Sequence, residues 1–368
     1  MKTLFLSVVV LVFTVLQILP VAAQKQSQTV NLFHILVNDK YGYIDRNGKV
    51  IIKPQFKAGW DFNEGLAHVI FENNDHGFID ETGKVVIRMK EEIFGGFREG
   101  LASFRICEES RAVTFIEEKT WKEITGTECV SGKTKYGFID NKGKVVIKPQ
   151  FTFTLGFTEG LASVEFNDKY GFIDKTGKFI IPAEFENSNG MFNEGLADIE
   201  IDEKRGYIDR QGKTVIKPQF DEAYPFKEGL AAVAIDDKWG FIDKTGKIVI
   251  PLIYDRADFF SEGLAAVRIG KKYGYINQAG KIVIKPQFSY ANDFIEGLAV
   301  FSVAEEEEES GHYGYIDKRG KVVIPPQWGV AYKFYRGIAY VTLGEFESDD
   351  AKFGYIDKKG RYIWKPTR

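Results

Sequence analysis

The sequence predicts an all-β protein: nine three-stranded antiparallel meanders in tandem, wound into an open, twisted β-solenoid, with a β-propeller-like ring as the alternative. Three observations predict it. One pattern, aromatic-Gly-aromatic-Ile-Asp-x-x-Gly-Lys-x-x-Ile, returns nine times, with its leading glycine at Gly42, Gly77, Gly137, Gly171, Gly206, Gly240, Gly274, Gly314 and Gly354. Its basic spacing of 34 residues is that of a repeat array, in which each unit buries its apolar face only against its neighbours. The chain is also rich in turn-formers and flat aromatics, with 37 Gly, 31 Phe and 17 Tyr among 368 residues, which suits short strands better than long helices.

From the start of the chain, Met1, Lys2 and Thr3 precede an apolar run from Leu4 to Leu19, and Pro20-Val21-Ala22-Ala23 supply the small residues of a cleavage site. Residues 1–23 therefore read as a signal peptide cleaved after Ala23, 24–30 as a linker and 31–368 as the repeat domain. No cysteine follows the apolar run, and no later stretch has the length and apolarity of a membrane span, so a periplasmic or secreted protein is expected. A formal charge of -3, from 49 basic and 52 acidic residues, argues against a nucleic-acid partner.

Within one unit, Trp239-Gly-Phe-Ile-Asp243 and Ile248-Val-Ile250 flank Lys244-Thr-Gly-Lys247, which has the length and composition of a hairpin loop. Leu230-Ala-Ala-Val-Ala-Ile235 supplies the third strand. Asn31-Leu-Phe-His-Ile-Leu-Val37 aligns with that strand, and the chain closes on the hairpin around Asp357 to Gly360, so nine whole meanders run end to end without lending a strand across the termini. Nine three-stranded blades would be an unusual propeller, which is why the open solenoid is preferred.

These residues resemble the WG repeats, also called KWG repeats, a bacterial β-repeat family of mostly unassigned function. Trp239-Gly240 is the eponymous dipeptide, and the pattern continues through Ile-Asp, Gly-Lys, a short apolar strand, Pro, Phe and Glu-Gly-Leu-Ala from about Asn31 to Pro366. Most copies carry Tyr, His, Arg or Phe where the family name has Trp. The resemblance implies a fold and no activity.

Three repeated rows could carry chemistry. The loop aspartates, Asp45, Asp80, Asp140, Asp174, Asp209, Asp243, Asp317 and Asp357, with Asn277 in the remaining copy, read as turn caps, because calcium needs several carboxylates per site. The Glu row (Glu64, Glu99, Glu159, Glu194, Glu228, Glu262, Glu296) and the Lys row of the Gly-Lys pairs read as ladders of salt bridges or hydrogen bonds. In the aromatic row the inner series, such as Tyr43 and Phe241, reads as core. The outer series tolerates Arg205 and His76 and so reads as exposed; Tyr41, Tyr136, Tyr170, Trp239, Tyr273 and Tyr313 are candidate platforms for sugar rings or cations.

Among unrepeated residues, His68 and His76 flank one strand connection and are placed to approach each other, but two ligands make no zinc site. Cys107 and Cys129 both fall in an insertion at about 105–131, which also holds Phe115 and Trp121, and in an exported protein they read as a disulfide stapling it. The acidic run Glu305 to Glu309 reads as a solvated loop tip.

With no nucleophile motif, metal motif or phosphate loop, the sequence predicts a noncatalytic scaffold without cofactor that binds a protein or an envelope polymer along an extended repeat face. The alternative is a carbohydrate-binding module of the cell wall type; a hydrolase ranks third.

Overall fold

The computed structural model describes residues 31–367 apart from 118–121, 131–132, 189, 304–311 and 345–351, with backbone alone over 111–128. The expected signal peptide and linker, the side chain of Phe115, Trp121 and the Glu305 to Glu309 run lie outside the described residues.

The Asp-x-x-Gly-Lys hairpins form as the side chains dictate. Asp243 Oδ1 accepts the N–H groups of Thr245 and Lys247 at 2.9 and 3.2 Å, and Gly246 takes the positive φ of 85° that closes the turn. Asn277 does the same with Ala279 and Lys281, so an amide suffices and the row consists of caps. Each hairpin joins a Gly strand (Lys238–Asp243) to a Val-Ile strand (Ile248–Tyr254), and the Gly strand pairs on its other side with a Leu-Ala strand (Leu230–Ile235).

The Val-Ile strand does not run straight. Trp239 pairs with Tyr254 and Phe241 with Ile250, so four residues on one strand oppose two on the other, and the excess arches over Gly240. A Cβ at Gly240 would lie 2.5 Å from the Ile250 carbonyl oxygen and 2.6 Å from that of Pro251. All nine copies share this approach of backbone to glycine, so every copy keeps Gly while the aromatic before it varies.

Beyond the arch the chain forms a further strand that the sequence reading missed: two residues of the linker, such as Glu222–Ala223, Arg256–Ala257 or Tyr290–Ala291, pair with the Leu-Ala strand that follows. Most blades are therefore four-stranded, in the order linker, Leu-Ala, Gly, Val-Ile. Blade 1 (Leu32–Val37, Lys40–Asp45, Val50–Phe56) and blade 5 (Leu196–Ile201, Lys204–Asp209, Thr214–Phe220) show three. The insertion is a hairpin, Ser110–Glu117 with Lys122–Cys129, and Cys107 is disulfide-bonded to Cys129.

The open solenoid is overturned: the nine blades close into a β-propeller ring. Each core cluster lies between neighbouring blades, as where Phe241 and Tyr254 of blade 6 pack on Phe260 and Val267 of blade 7. The same contact is made across the ends of the array, where Phe33, Ile35 and Ile44 of blade 1 pack on Ile338, Tyr355 and Trp364 of blade 9. The absence of a shared strand was the wrong criterion, because side chains close the ring. In other blades the Leu-Ala strand carbonyls accept linker N–H groups, Lys57 N to Ile70 O and Trp60 N to His68 O. In blade 1 the equivalent carbonyls accept hydroxyls of blade 9 instead: Tyr355 donates to His34 O at 2.9 Å and Thr367 to Leu36 O at 2.7 Å. Thr367 pairs with Phe353 in the register where the other copies pair Phe, Met, Tyr or Trp, although by sequence it aligns with the Gln that most of them carry.

A belt of carboxylates ties the blades together. The Glu-Gly pair is the centre of a two-residue turn with both φ positive, 53° at Glu262 and 83° at Gly263, closed by Ser261 N to Leu264 O. Glu is a poor choice for that turn on local grounds. It is there because its carboxylate reaches the next blade: Glu228 accepts Gly263 N–H at 3.0 Å, Glu262 accepts Gly297 N–H at 3.1 Å and Glu296 accepts Gly337 N–H at 3.0 Å. The cation completing the bond is not the Gly-Lys lysine but the one just after the cap, as in Lys318–Glu262 and Lys358–Glu296, both at 3.0 Å. At the ring closure Arg336 replaces Glu and donates to Asn31 Oδ1.

Partial burial disfavours the Glu262 carboxylate, but the Lys318 bond and the turn N–H groups outweigh that and hold its pKa below the usual range. This stability is complete above the unfolded carboxyl pKa and is lost as pH falls through the lower folded one. Glu262→Asn, which improves the turn and removes the belt bond, is expected to destabilise by about 1 kcal/mol in urea unfolding at pH 7. A gain in stability would show that the turn, not the belt, sets the residue.

Candidate aromatic site at the ring closure

Blade 1 has no linker strand among the described residues, and the space beside it is a cavity of about 760 Å³. Blades 8, 9, 1 and 2 wall it, and its lining includes linker residues of blades 2, 8 and 9. The Val-Ile strands, at the opposite edge of each blade's sheet, carry exposed pairs such as Val85 and Val86 or Ile248 and Val249.

The walls are aromatic. Trp60, Tyr290, Tyr332 and Tyr335 are exposed, while Tyr41, Tyr313 and Tyr340 are half-buried. The Trp60 indole lies flat on the His68 imidazole, with ring centroids 4.2 Å apart and planes 5° apart. His68 Nε2 is 3.0 Å from His76 Nδ1, which also accepts the N–H of Ile93. Two donors on one nitrogen fix His76 Nδ1 as acceptor and His68 Nε2 as protonated donor. The two histidines do meet, and they form a support for Trp60; among the described residues no group of three or more His, Cys, Asp or Glu is placed to hold a metal.

Polar groups enter between the rings. Asp61 pairs with His34 Nδ1 at 2.8 Å, and Lys333 bonds Asp293 at 2.8 Å. Burial raises the pKa of nearby Asp258, with Arg256 opposing and Asp293 reinforcing the shift.

Of the sequence candidates, Tyr41 and Tyr313 line this cavity. Trp239 packs on Tyr224 with centroids 4.9 Å apart, Tyr170 lies 6.5 Å from Phe153, and Tyr273 packs against the core between blades 7 and 8. Tyr136 is buried, against Phe94. Arg205 and His76 do not mark an exposed row either. Each is accommodated by a partner on the adjacent strand: Arg205 bonds the fully buried Asp198 at 3.1 Å, and His76 meets His68. The inner series is core, with Tyr43, Phe78 and Phe241 fully buried.

Sequence reasoning missed Trp60, Asp61, Tyr332 and Lys333. The available signal lay in the linkers, where Trp60-Asp61-Phe62 and Tyr332-Lys333-Phe334 share a Phe but differ in the two residues before it from blade to blade.

Burial, then the neighbouring His76, pushes the His68 pKa down to about 3. The folded protein thus binds fewer protons than the unfolded chain between about pH 6.5 and 3, so this contribution is complete above 6.5 and is lost as pH falls. Lowering pH from 7 to 5 is expected to cost about 2 kcal/mol through this residue. Thermal unfolding of His68→Gln against the parent should show the smaller acid sensitivity in the variant; equal slopes would mean that His68 does not titrate on unfolding.

Fold and site together define a β-propeller with an aromatic cavity at its seam. A family model described as WG containing repeat matches residues 41–74, 77–106, 136–170, 170–204, 206–239, 239–273, 273–304 and 313–345, most of the chain, and the protein belongs to that family. A comparison with curated proteins finds no significant match. Among solved structures, BamB from Moraxella catarrhalis is 10% identical with a TM-score of 0.44, over 76% of this chain and 92% of that one. The extracellular domain of a hybrid two-component system from B. thetaiotaomicron is 8% identical with a TM-score of 0.32, over 92% of this chain and 56% of that one. Acylaminoacyl peptidase from Pyrococcus horikoshii is 12% identical with a TM-score of 0.38, over 74% and 52%. Likenesses this distant bear on neither activity nor partner.

Proposed function

We propose that this protein is an exported, noncatalytic binding propeller that holds a component of the cell envelope, a protein or a polymer, in the aromatic cavity at the ring closure. The observation that carries the reading is that exposed aromatic rings gather beside blade 1, which has no linker strand among the described residues. Elsewhere in the ring the repeated Asp caps and belt glutamates are engaged in turns and in the carboxylate belt. The reading moves binding from an extended repeat face to one unrepeated place, because ring closure produces a single seam. Export is supported by the signal-peptide pattern of residues 1–23 and by the Cys107–Cys129 disulfide, which suits an oxidising compartment. No helix among the described residues is long and apolar enough to cross a membrane.

The test is cosedimentation of the purified chain with the envelope of its own organism at low and high salt. Salt-resistant pelleting that falls at least tenfold in Trp60→Ala supports the reading. Pelleting indifferent to Trp60 would place the site elsewhere, and the repeat faces would become the target of truncations.

A further inference from the structure

We propose that the seam cavity binds a neutral saccharide, with one sugar ring stacked on Trp60 and its hydroxyls bonded to Asp61 from blade 2 and Lys333 from blade 9. This rests on the cavity being the binding site and names the ligand class it takes.

Four observations carry it. The first is a rigid platform. His68 covers one face of Trp60 while 46% of the residue stays exposed, and His76 fixes His68 in turn, so the free surface of the indole is presented without side-chain freedom to lose on binding. A pyranose has an apolar C–H face that suits such a platform.

The second is the pairing of an acceptor with a donor. The Asp61 side chain is more than half exposed although His34 holds one carboxylate oxygen, and the Lys333 side chain is 38% exposed while its ammonium bonds Asp293. A hydroxyl both donates and accepts, so a polyhydroxylated ligand can satisfy both groups. A quaternary ammonium would suit the rings and Asp61 but would meet Lys333 as a like charge; an anion would meet Asp61.

The third argues against a peptide strand. A segment added beside blade 1 would need the Leu-Ala strand carbonyls, and His34 O and Leu36 O already accept the hydroxyls of Tyr355 and Thr367, which stand in the path of such a strand's N–H groups. The fourth is size: about 760 Å³ is the volume of a small-molecule site, enough for a short oligosaccharide.

The experiment titrates the purified chain with chitotetraose, cellotetraose and maltotetraose, and with tetramethylammonium as a cation probe, by calorimetry and tryptophan fluorescence. Saturable binding of at least one oligosaccharide is expected, weakened tenfold or more in Trp60→Ala and severalfold in Asp61→Asn, retained in part by Trp60→Phe and unchanged in Trp239→Phe. Thermal unfolding of each variant establishes that it is folded; if Trp60→Ala is not, Tyr332→Ala and Trp60→Phe carry the comparison. The proposal is overturned if no oligosaccharide titrates, if titration is indifferent to Trp60 and Tyr332, or if tetramethylammonium competes. Envelope pelleting separates the two levels. Pelleting that depends on Trp60 without any sugar titration sinks the ligand class and leaves the site standing, whereas pelleting indifferent to Trp60 sinks the site.

Discussion

Gly240→Ala is expected to destabilise the ring by more than about 4 kcal/mol. The added Cβ would meet the carbonyl oxygens of Ile250 and Pro251 at 2.5 and 2.6 Å, and both belong to backbone. Relief requires moving the arch of the Val-Ile strand, which carries Tyr254 into the core shared by blades 6 and 7. Core packing at crystal-like density leaves little room for that shift. Gly229→Ala is the control. It lies in a Glu-Gly turn at φ 81° with nothing within 4 Å of its Cβ position, so it is expected to cost only the local backbone strain, about 1 to 2 kcal/mol. Urea unfolding monitored by circular dichroism ranks the two; a Gly240→Ala protein as stable as Gly229→Ala would show that the arch is soft.

Removing both hydroxyls that cap blade 1, in Tyr355→Phe with Thr367→Val, is expected to destabilise the protein by about 2 to 5 kcal/mol. Each substitution leaves a carbonyl, His34 O or Leu36 O, without the donor it has in the folded ring. An unsatisfied group costs its full desolvation, about 1 to 3 kcal/mol, rather than the small net worth of a hydrogen bond. Tyr355 is almost fully buried and keeps its ring in the Phe variant, so packing against Phe33 and Ile338 is preserved and the hydroxyl alone is tested. Tyr315→Phe, which removes an equivalent bond to Tyr332 O between blades 8 and 9, is the matched comparison inside the ring. Hydrogen exchange should rise first in Leu32–Val37 for the seam variant, because among the described residues that strand has no linker strand to share the load. If exchange rises evenly around the ring instead, the seam is no weaker than any other junction.

The chemistry of each repeat was legible because it is local. An Asp two residues before the N–H it caps, a Gly at positive φ and a Val-Ile run are decided within a dozen residues, and strand alternation placed Tyr43 and its equivalents in the core. The Glu row read as a ladder, but its reason was hidden. Local propensity disfavours Glu at φ of about 50°, and only the turn N–H of the next blade explains it. The outer aromatic row misled for a similar reason: Arg205 looked like exposure, whereas Asp198, seven residues away on the neighbouring strand, buries with it.

The sequence by itself determined the unit: nine meanders, their phase, their hairpins, their core residues and the disulfide that ties the insertion. It could not determine closure. Whether a stack of identical units ends or meets itself depends on the small rotation between neighbours summed over nine steps, and no local pattern encodes that sum. Only the tertiary structure decided that Thr367 and Tyr355 reach blade 1 and that Arg336 meets Asn31. The candidate site follows from the same decision, since Trp60 and Tyr332 are 272 positions apart in the chain and share one cavity because the ring is closed.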